Sequence, residues 1–255
     1  MSESAVLEGK TALITGASAG LGRQFATALA AAGARVGIAA RRADRLEDLA
    51  AQIRSDGGEA AAFSLDVTDS ASVRACLDAA EEALGPIDVL VNNAGIGIPK
   101  RIVDITEEDY DALMATNAKG AWLMAQETGR RMIARGQGGR IINTASMGGL
   151  IATRQLSVYG MSKAAVIHMT KAMALEWARF GINVNAICPG YVSTEMNGAF
   201  FETDDGQKFV STFPRKRLIE EADFDGMIVL LASDQSRIIT GSIITMDDAQ
   251  GFTLY

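Results

Sequence analysis

The 255-residue chain is poor in the residues that staple small proteins or hold metals. It has two cysteines, Cys76 and Cys188, far apart and in no metal-type spacing, and one histidine, His168. That excludes a disulfide framework and leaves no ligand set for zinc, so no metal is expected. No run reaches the ~18 apolar residues of a membrane span. The opening stretch, MSESAVLEGK, is polar and lacks the apolar centre of a signal peptide. A cytoplasmic protein without a membrane partner is the expectation. Positive charge is also scarce: 24 Lys and Arg stand against 31 Asp and Glu, for a net charge of −7. An acidic chain is a poor non-specific ligand for nucleic acid, and no nucleic-acid partner is expected. Any anionic cofactor must then be held by local groups. Aromatics are only 6% of the chain, while Ala and Gly are abundant. That composition favours helices packed closely on a sheet.

What is present is the pattern of an α/β protein. Short apolar runs alternate with helical stretches of three or four turns. The runs are Thr11–Thr15, Arg35–Ala40, Ala60–Asp66, Ile87–Gly95, Arg140–Ser146, Ile182–Gly190 and Ser242–Asp247. Long helices are expected over about 107–135 and 157–180, and a last one near 224–232. Such alternation implies right-handed βαβ crossovers and a parallel sheet. The expected fold is a single Rossmann-type domain over 1–255, a doubly wound sheet of seven mainly parallel strands with helices on both faces. The stretch 191–218 breaks the alternation and is too long for an ordinary loop. It reads as a mobile substrate lid.

The turn after the first strand, ITGASAGLG, spaces Gly16, Gly20 and Gly22 as G-x-x-x-G-x-G. At a strand–helix junction, such glycines let bare backbone approach a pyrophosphate beside a helix N-terminus. An acid about 20 residues further on would bind adenosine ribose hydroxyls. Here that place holds Ala40, followed by Arg41 and Arg42. Paired guanidiniums suit a 2′-phosphate, so NADP(H) is expected as the preferred cofactor, with NAD(H) possible. The competing reading of these arginines is a solvated helix start.

In the stretch YGMSK, Tyr159 and Lys163 lie four apart in a helical region, on one face. A cation beside a phenol favours the phenolate and lowers its pKa from about 10. Such a tyrosine serves as a general acid or base near neutral pH. Ser146 ends the preceding strand, where parallel sheets place their sites.

Together these motifs resemble the short-chain dehydrogenase/reductase family in its compact form of about 250 residues, 3-oxoacyl reductases included, over roughly 9–247. The glycine turn appears as Thr15-Gly16-x-x-x-Gly20-x-Gly22. The acid after the third strand looks like Asp66, with Val67 next. Asn92-Asn93-Ala94-Gly95 and Pro189-Gly190, with Val192 and Thr194 following, match further motifs. The resemblance implies a catalytic set of Asn117, Ser146, Tyr159 and Lys163. It implies cofactor contacts from Gly16, Ser18, Gly20, Leu21, Gly22, Arg41, Arg42, Asp66, Val67, Asn93, Ala94, Gly95, Tyr159, Lys163, Pro189, Gly190, Val192 and Thr194. In the implied reaction, Tyr159 gives a proton to a carbonyl oxygen that Ser146 also binds. Lys163 holds the nicotinamide ribose, and Asn117 holds a water. The expected activity is a carbonyl reductase, interconverting a ketone or 3-oxoacyl group and a secondary alcohol with NADP(H). An NAD-linked alcohol or polyol dehydrogenase and a non-catalytic dinucleotide sensor are the alternatives. A homotetramer or homodimer is implied.

The chain departs from the family where the last strand ends. Met246-Asp247-Asp248-Ala249 stands in place of V-D-G-G. Arg154, between Ser146 and Tyr159, is a candidate contact for an acidic substrate group, weighed against a solvated loop arginine. His168 falls opposite Tyr159 on the helix and reads as structural or interfacial. Met147, Met161, Tyr191, Met196, Phe200 and Phe201 are candidates to line an apolar pocket.

Overall fold

A computed structural model describes residues 5–193 and 198–252, without the side chains of 43 and 44. The elements run β1 (Thr11–Thr15), α1 (Gly20–Ala31), β2 (Arg35–Ala40), α2 (Ala43–Ser55), β3 (Glu59–Ser64), α3 (Ser70–Leu84) and β4 (Val89–Asn92). Then come α4 (Glu107–Leu113), a π-helical stretch (Met114–Gly120), α5 (Ala121–Arg135), β5 (Gly139–Thr144), α6 (Ser157–Trp177) and β6 (Ile182–Pro189). Two short helices, α7 (Gly198–Phe201) and α8 (Asp204–Ser211), precede α9 (Asp225–Ala232) and β7 (Ile243–Met246).

The strands form one sheet in the order 3-2-1-4-5-6-7, and every described pairing is parallel. The order reverses between β1 and β4, which opens a crevice at their carboxyl ends. Alternation along each strand sorts the core into two layers. Ala12, Ile14, Val36 and Ile38 meet Phe25, Leu29, Leu46, Leu49, Ile228 and Leu231 of α1, α2 and α9. On the other face, Leu13, Leu90, Ile141 and Val184 meet Val73 and Leu77 of α3, Met124 and Met132 of α5, and Val166 and Met173 of α6.

Two expected elements are changed at functionally telling places. The fourth strand stops at Asn92 instead of Gly95. The backbone N–H groups of Asn93 and Ala94 turn away to donate to Thr15 Oγ1, at 3.0 and 3.1 Å. The expected helix over 107–135 is interrupted by the π-turn that carries Asn117. Wide turns of this kind recur at functional sites because they leave a helix backbone irregular at one place. The segment after β6 is built, not structureless. It carries α7 and α8 and a third, small core of Phe201, Val210 and Phe213, with Tyr191, Phe209 and Leu218 packed on it. Among the described residues no helix is long and apolar enough to cross a membrane.

Candidate active site

A cleft of about 780 Å³ runs along the carboxyl ends of the strands, across the β1/β4 reversal. Its size lies within the usual range for small-molecule sites. Of the residues expected to hold a dinucleotide, Gly16, Ser18, Gly20, Leu21, Arg41, Arg42, Asp66, Val67, Asn93, Ala94, Gly95, Tyr159, Lys163, Pro189, Gly190 and Val192 line it. Ser146 lines it too. Gly22 and Asn117 stand behind the wall, and Thr194 lies outside the described residues, as does Met196.

The glycine turn is fixed by tight backbone contacts. Gly16 has φ 68°, a left-handed conformation that favours glycine, and a Cβ there would come within 2.7 Å of Ala94 Cα. At Gly22 a Cβ would meet the Gly16 oxygen at 2.4 Å. Its bareness serves the packing of α1 under the turn. Asn93 completes the arrangement by donating through Nδ2 to the carbonyls of Thr15 and Gly16, at 3.2 and 3.3 Å. Asn92 faces inward and donates to Asn143 Oδ1 and the Ala121 carbonyl, both at 3.0 Å. At the head of α1 no side chain caps the first turn. Its unpaired N–H groups, together with the bare turn, fit a pyrophosphate.

At the far end of β2, Arg41 and Arg42 are exposed at the cleft rim. Arg42 reaches back to Ser18 Oγ through Nε at 3.3 Å and Nη2 at 2.8 Å. Asp66 accepts from the Thr68 backbone N–H and hydroxyl, at 2.9 and 2.7 Å. These bonds, with Arg41 nearby, hold its carboxyl below the usual carboxylate range. The rim thus offers two guanidiniums where an acid would otherwise meet a ribose, a donor set that fits a phosphate.

The catalytic candidates meet at the other end. Tyr159, on the first turn of α6, and Ser146 flank Gly148, where a Cβ would lie 3.8 Å from the Tyr159 ring and 3.4 Å from Ser146 Oγ. Ser146 accepts from the Gly148 N–H at 3.0 Å. Lys163 is 5% exposed and donates through Nζ to the Thr144 carbonyl at 2.8 Å. Its Nζ lies 5.7 Å from the centre of the Tyr159 ring. Asn117 binds both backbone groups of Ile96, accepting at 2.8 Å and donating at 2.9 Å, and also donates to Ser162 Oγ. It therefore ties the loop after β4 to α6.

Glycines bring these groups together. The segment after β5 lies so close to α6 that a Cβ on Gly160 would come within 2.6 Å of the Gly148 carbonyl oxygen. A Cβ on Gly149 would come within 2.8 Å of the Lys163 backbone. A buried polar chain adds a second fastening. Asn143 on β5 donates to Thr170 Oγ1 of α6 at 2.9 Å.

The electrostatics correct one expectation. Burial dominates and pushes the Tyr159 phenol up, while its bond to Ser146 pulls the other way. Burial also pushes Lys163 down, to about 8. Burial of the phenol outweighs the influence of a lysine whose own charge burial disfavours. Desolvation disfavours both charged forms.

Other expectations are also revised. Tyr191 stacks on Phe213 with ring centres 5.5 Å apart and meets Phe209 and Phe201 edge-on. These rings fill their own small core and none lines the cleft. Met161 is half exposed and Met147 is buried, and neither lines it. Arg154 is exposed and is not among the lining residues. His168 is exposed on α6. Conversely, Ile96, Thr116 and Thr144 do line the cleft and were not foreseen. Ile96 directly follows the N-N-A-G motif, which is a usable signal. Thr116 was hidden by the π-turn.

Comparisons agree with this geometry. A family profile described as short chain dehydrogenase matches residues 10–205. The chain is 37% identical over 248 residues to D-threitol dehydrogenase of Mycolicibacterium smegmatis, covering 97% of this chain and 94% of that protein. It is 41% identical over 251 residues to sorbitol dehydrogenase of Cereibacter sphaeroides, covering 94% and 97%. The solved structure of a gluconate 5-dehydrogenase from Burkholderia cenocepacia, in complex with NADP and tartrate, superposes with a TM-score of 0.92 at 36% identity. That match covers 97% of each chain. With a cleft of this build and relatives matched over nearly their whole length, the chain belongs to the short-chain dehydrogenase family and is an oxidoreductase acting on CH–OH or C=O groups.

Proposed function

We propose that the protein is an NADP(H)-dependent dehydrogenase that interconverts a polyhydroxylated secondary alcohol and its ketone, with Tyr159 as the general acid and base. The observation that carries this is the convergence of Ser146, Tyr159 and Lys163 on one cleft wall, with the Lys163 ammonium one turn further along α6 than the phenol. The named polyol and gluconate dehydrogenases among the relatives favour a polyol or sugar acid over a 3-oxoacyl group. So does the packing of Tyr191, Phe201, Phe209 and Phe213 on one another, none of which is among the residues lining the cleft.

The bound nicotinamide supplies the hydride acceptor or donor. The chain supplies the rest. Ser146 Oγ holds the substrate oxygen beside the Tyr159 hydroxyl. In oxidation the Tyr159 phenolate takes the hydroxyl proton, and in reduction the phenol returns it. The free protein holds the phenol protonated, the form that serves reduction. Oxidation is therefore expected to quicken as pH rises, and reduction to slow. Lys163, partly charged near its value of about 8, lines the cleft where it would hold the ribose and steady the phenolate when it forms. Asn117, anchored to Ile96 and Ser162, keeps the α6 edge of the cleft in register. Arg41 and Arg42 receive the 2′-phosphate. The domain acts as one nucleotide-binding unit, with the segment from Tyr191 to Leu218 as its substrate lid. The four positions 194–197 of that segment are outside the described residues. Trp122, Met161 and Leu175, exposed on α5 and α6, are read as surfaces for further copies in a homodimer or homotetramer.

The test is Tyr159→Phe. Turnover of sorbitol, threitol and gluconate, assayed with NADP and with NAD, is expected to fall by about 10²–10⁴-fold while NADPH binding persists. Undiminished turnover in that variant overturns the mechanism. An NAD-linked polyol dehydrogenase is the second reading, favoured by the named polyol relatives. Arg41→Ala decides between them, because it weakens NADP use roughly tenfold and leaves NAD use alone only if the guanidinium holds a phosphate.

A further inference from the structure

The turn at Asp247–Gln250, where the chain departs from its family's pattern, makes an unusual set of contacts. Asp247 accepts from the N–H groups of Ala249 at 3.1 Å and Gly251 at 2.8 Å, which folds the turn on itself. Asp248 and Ala249 then adopt left-handed backbone, with φ of 52° and 65°. Residues other than glycine rarely hold that conformation, so the surroundings must impose it. What it achieves is direction. The Asp248 carboxylate, with its side chain 13% exposed, meets Arg217 Nε at 3.0 Å and Arg215 Nε at 3.1 Å. The next but one residue, Gln250, is 1% exposed and accepts from the Tyr191 N–H through Oε1 at 2.7 Å. Its Nε2 reaches the Arg217 carbonyl at 3.5 Å. Gly190 makes room, since a Cβ there would come within 2.5 Å of Gln250 Oε1.

These contacts fall on both limbs of one segment. Tyr191 begins it and is the hub of its aromatic core. Arg215 and Arg217 lie on its return, which closes where the Ile219 N–H donates to the Tyr191 carbonyl at 3.0 Å. Gly190 and Val192, immediately beside Tyr191, line the cleft. We infer that the Asp247–Gln250 turn is a latch, and that Asp248 and Gln250 are positioning residues that set where the 198–218 segment stands over the site. This rests on the reading of that segment as the substrate lid. Asp248 acts through Arg215 and Arg217, and Gln250 acts through Tyr191. Neither touches the reacting atoms.

The experiment is hydrogen exchange on the full chain, with and without NADPH, for Asp248→Asn and Arg217→Gln. Asparagine tolerates left-handed backbone and keeps the shape, so only the charge is lost. Both variants are expected to exchange about fivefold faster across 198–218, with β5, α6 and the glycine turn unchanged. NADPH affinity should stay within about twofold, and KM for a polyol turned over by the parent should rise about fivefold with kcat held. Unchanged exchange in 198–218, or equal acceleration throughout the chain, overturns the latch. Loss of every polyol activity in the parent overturns the proposed substrate class instead, and the exchange result still decides the latch.

Discussion

The catalytic wall of the cleft and the segment that follows β6 are held by different means. At the Ser146–Tyr159–Lys163 end, position is set by backbone against backbone. Gly149 and Gly160 let the turn after β5 touch α6, and the side chains inherit their places. In the described part of 191–218, position is set by side chains. A cluster of Tyr191, Phe201, Phe209 and Phe213, two arginines and a buried glutamine hold a segment whose helices are four and eight residues long. Helices that short have little stability of their own. The first arrangement is rigid because close-packed backbone cannot yield to small forces. The second can be loosened one contact at a time, which suits the lid proposed above.

That contrast can be broken most severely at Gly160. A methyl group there has nowhere to go but against the Gly148 carbonyl. Gly160→Ala is expected to lower kcat by about 10²-fold, because a displacement near 1 Å of Tyr159 suffices for that. Thermal stability should fall by about 1–3 kcal/mol through overpacking. Steady-state kinetics and a melting curve check both. Normal kcat in the variant would show that α6 can slide.

A smaller effect is expected in the 198–218 segment. Phe213 is 2% exposed and belongs to the small core. Phe213→Ala should raise KM for the alcohol about tenfold with kcat and NADPH affinity nearly unchanged, because the loss stays within its own cluster. A drop in kcat equal to that of Gly160→Ala would erase the distinction between the two regions.

A subtler difference concerns charge. Lys163 is depressed in the folded chain to about 8 from an ordinary 10.5. Between those values the unfolded chain holds a proton that the folded chain has released. Stability contributed by this group therefore rises as pH increases through about 8 to 10.5. Urea melts at pH 7.5 and pH 10 should show wild type gaining on Lys163→Met over that window. The buried thiol of Cys76, raised to about 11, acts in the opposite sense in both proteins and cancels in the difference. Arg154→Ala is expected to do least, with KM for gluconate and for sorbitol unchanged, because the side chain is exposed and is not among the cleft residues.

The readable parts of the chain share a physical reason. Glycines at a strand–helix junction, a strand-end serine and a Tyr–Lys pair four apart are local patterns, tied to the 2.0 and 3.6 residue periods of strand and helix. The strands Thr11–Thr15 and Arg35–Ala40 were legible to the residue for the same reason. What could not be read depends on partners distant in the chain. Asn93 looks like a cofactor ligand in its motif, but its side chain also secures Thr15 and Gly16, 77 to 78 residues away. The aromatic residues of 191–218 look like a pocket lining, yet they satisfy one another first. The phenol next to a lysine looks activated, but burial, a property of the whole fold, outweighs the pair.

By itself, then, the sequence determined the alternation of strands and helices, the bare turn that suits a pyrophosphate, the absence of an acid after β2, and the residue types at the reacting centre. Each is a matter of spacing along the chain. Tertiary structure alone decided that the π-turn carries Asn117 to Ile96 and Ser162, and that glycine contacts fix Tyr159 against Ser146. It also decided that Asp248 and Gln250 reach back to both limbs of the segment after β6. Those outcomes depend on how close two distant backbones can come, and no local pattern encodes that distance.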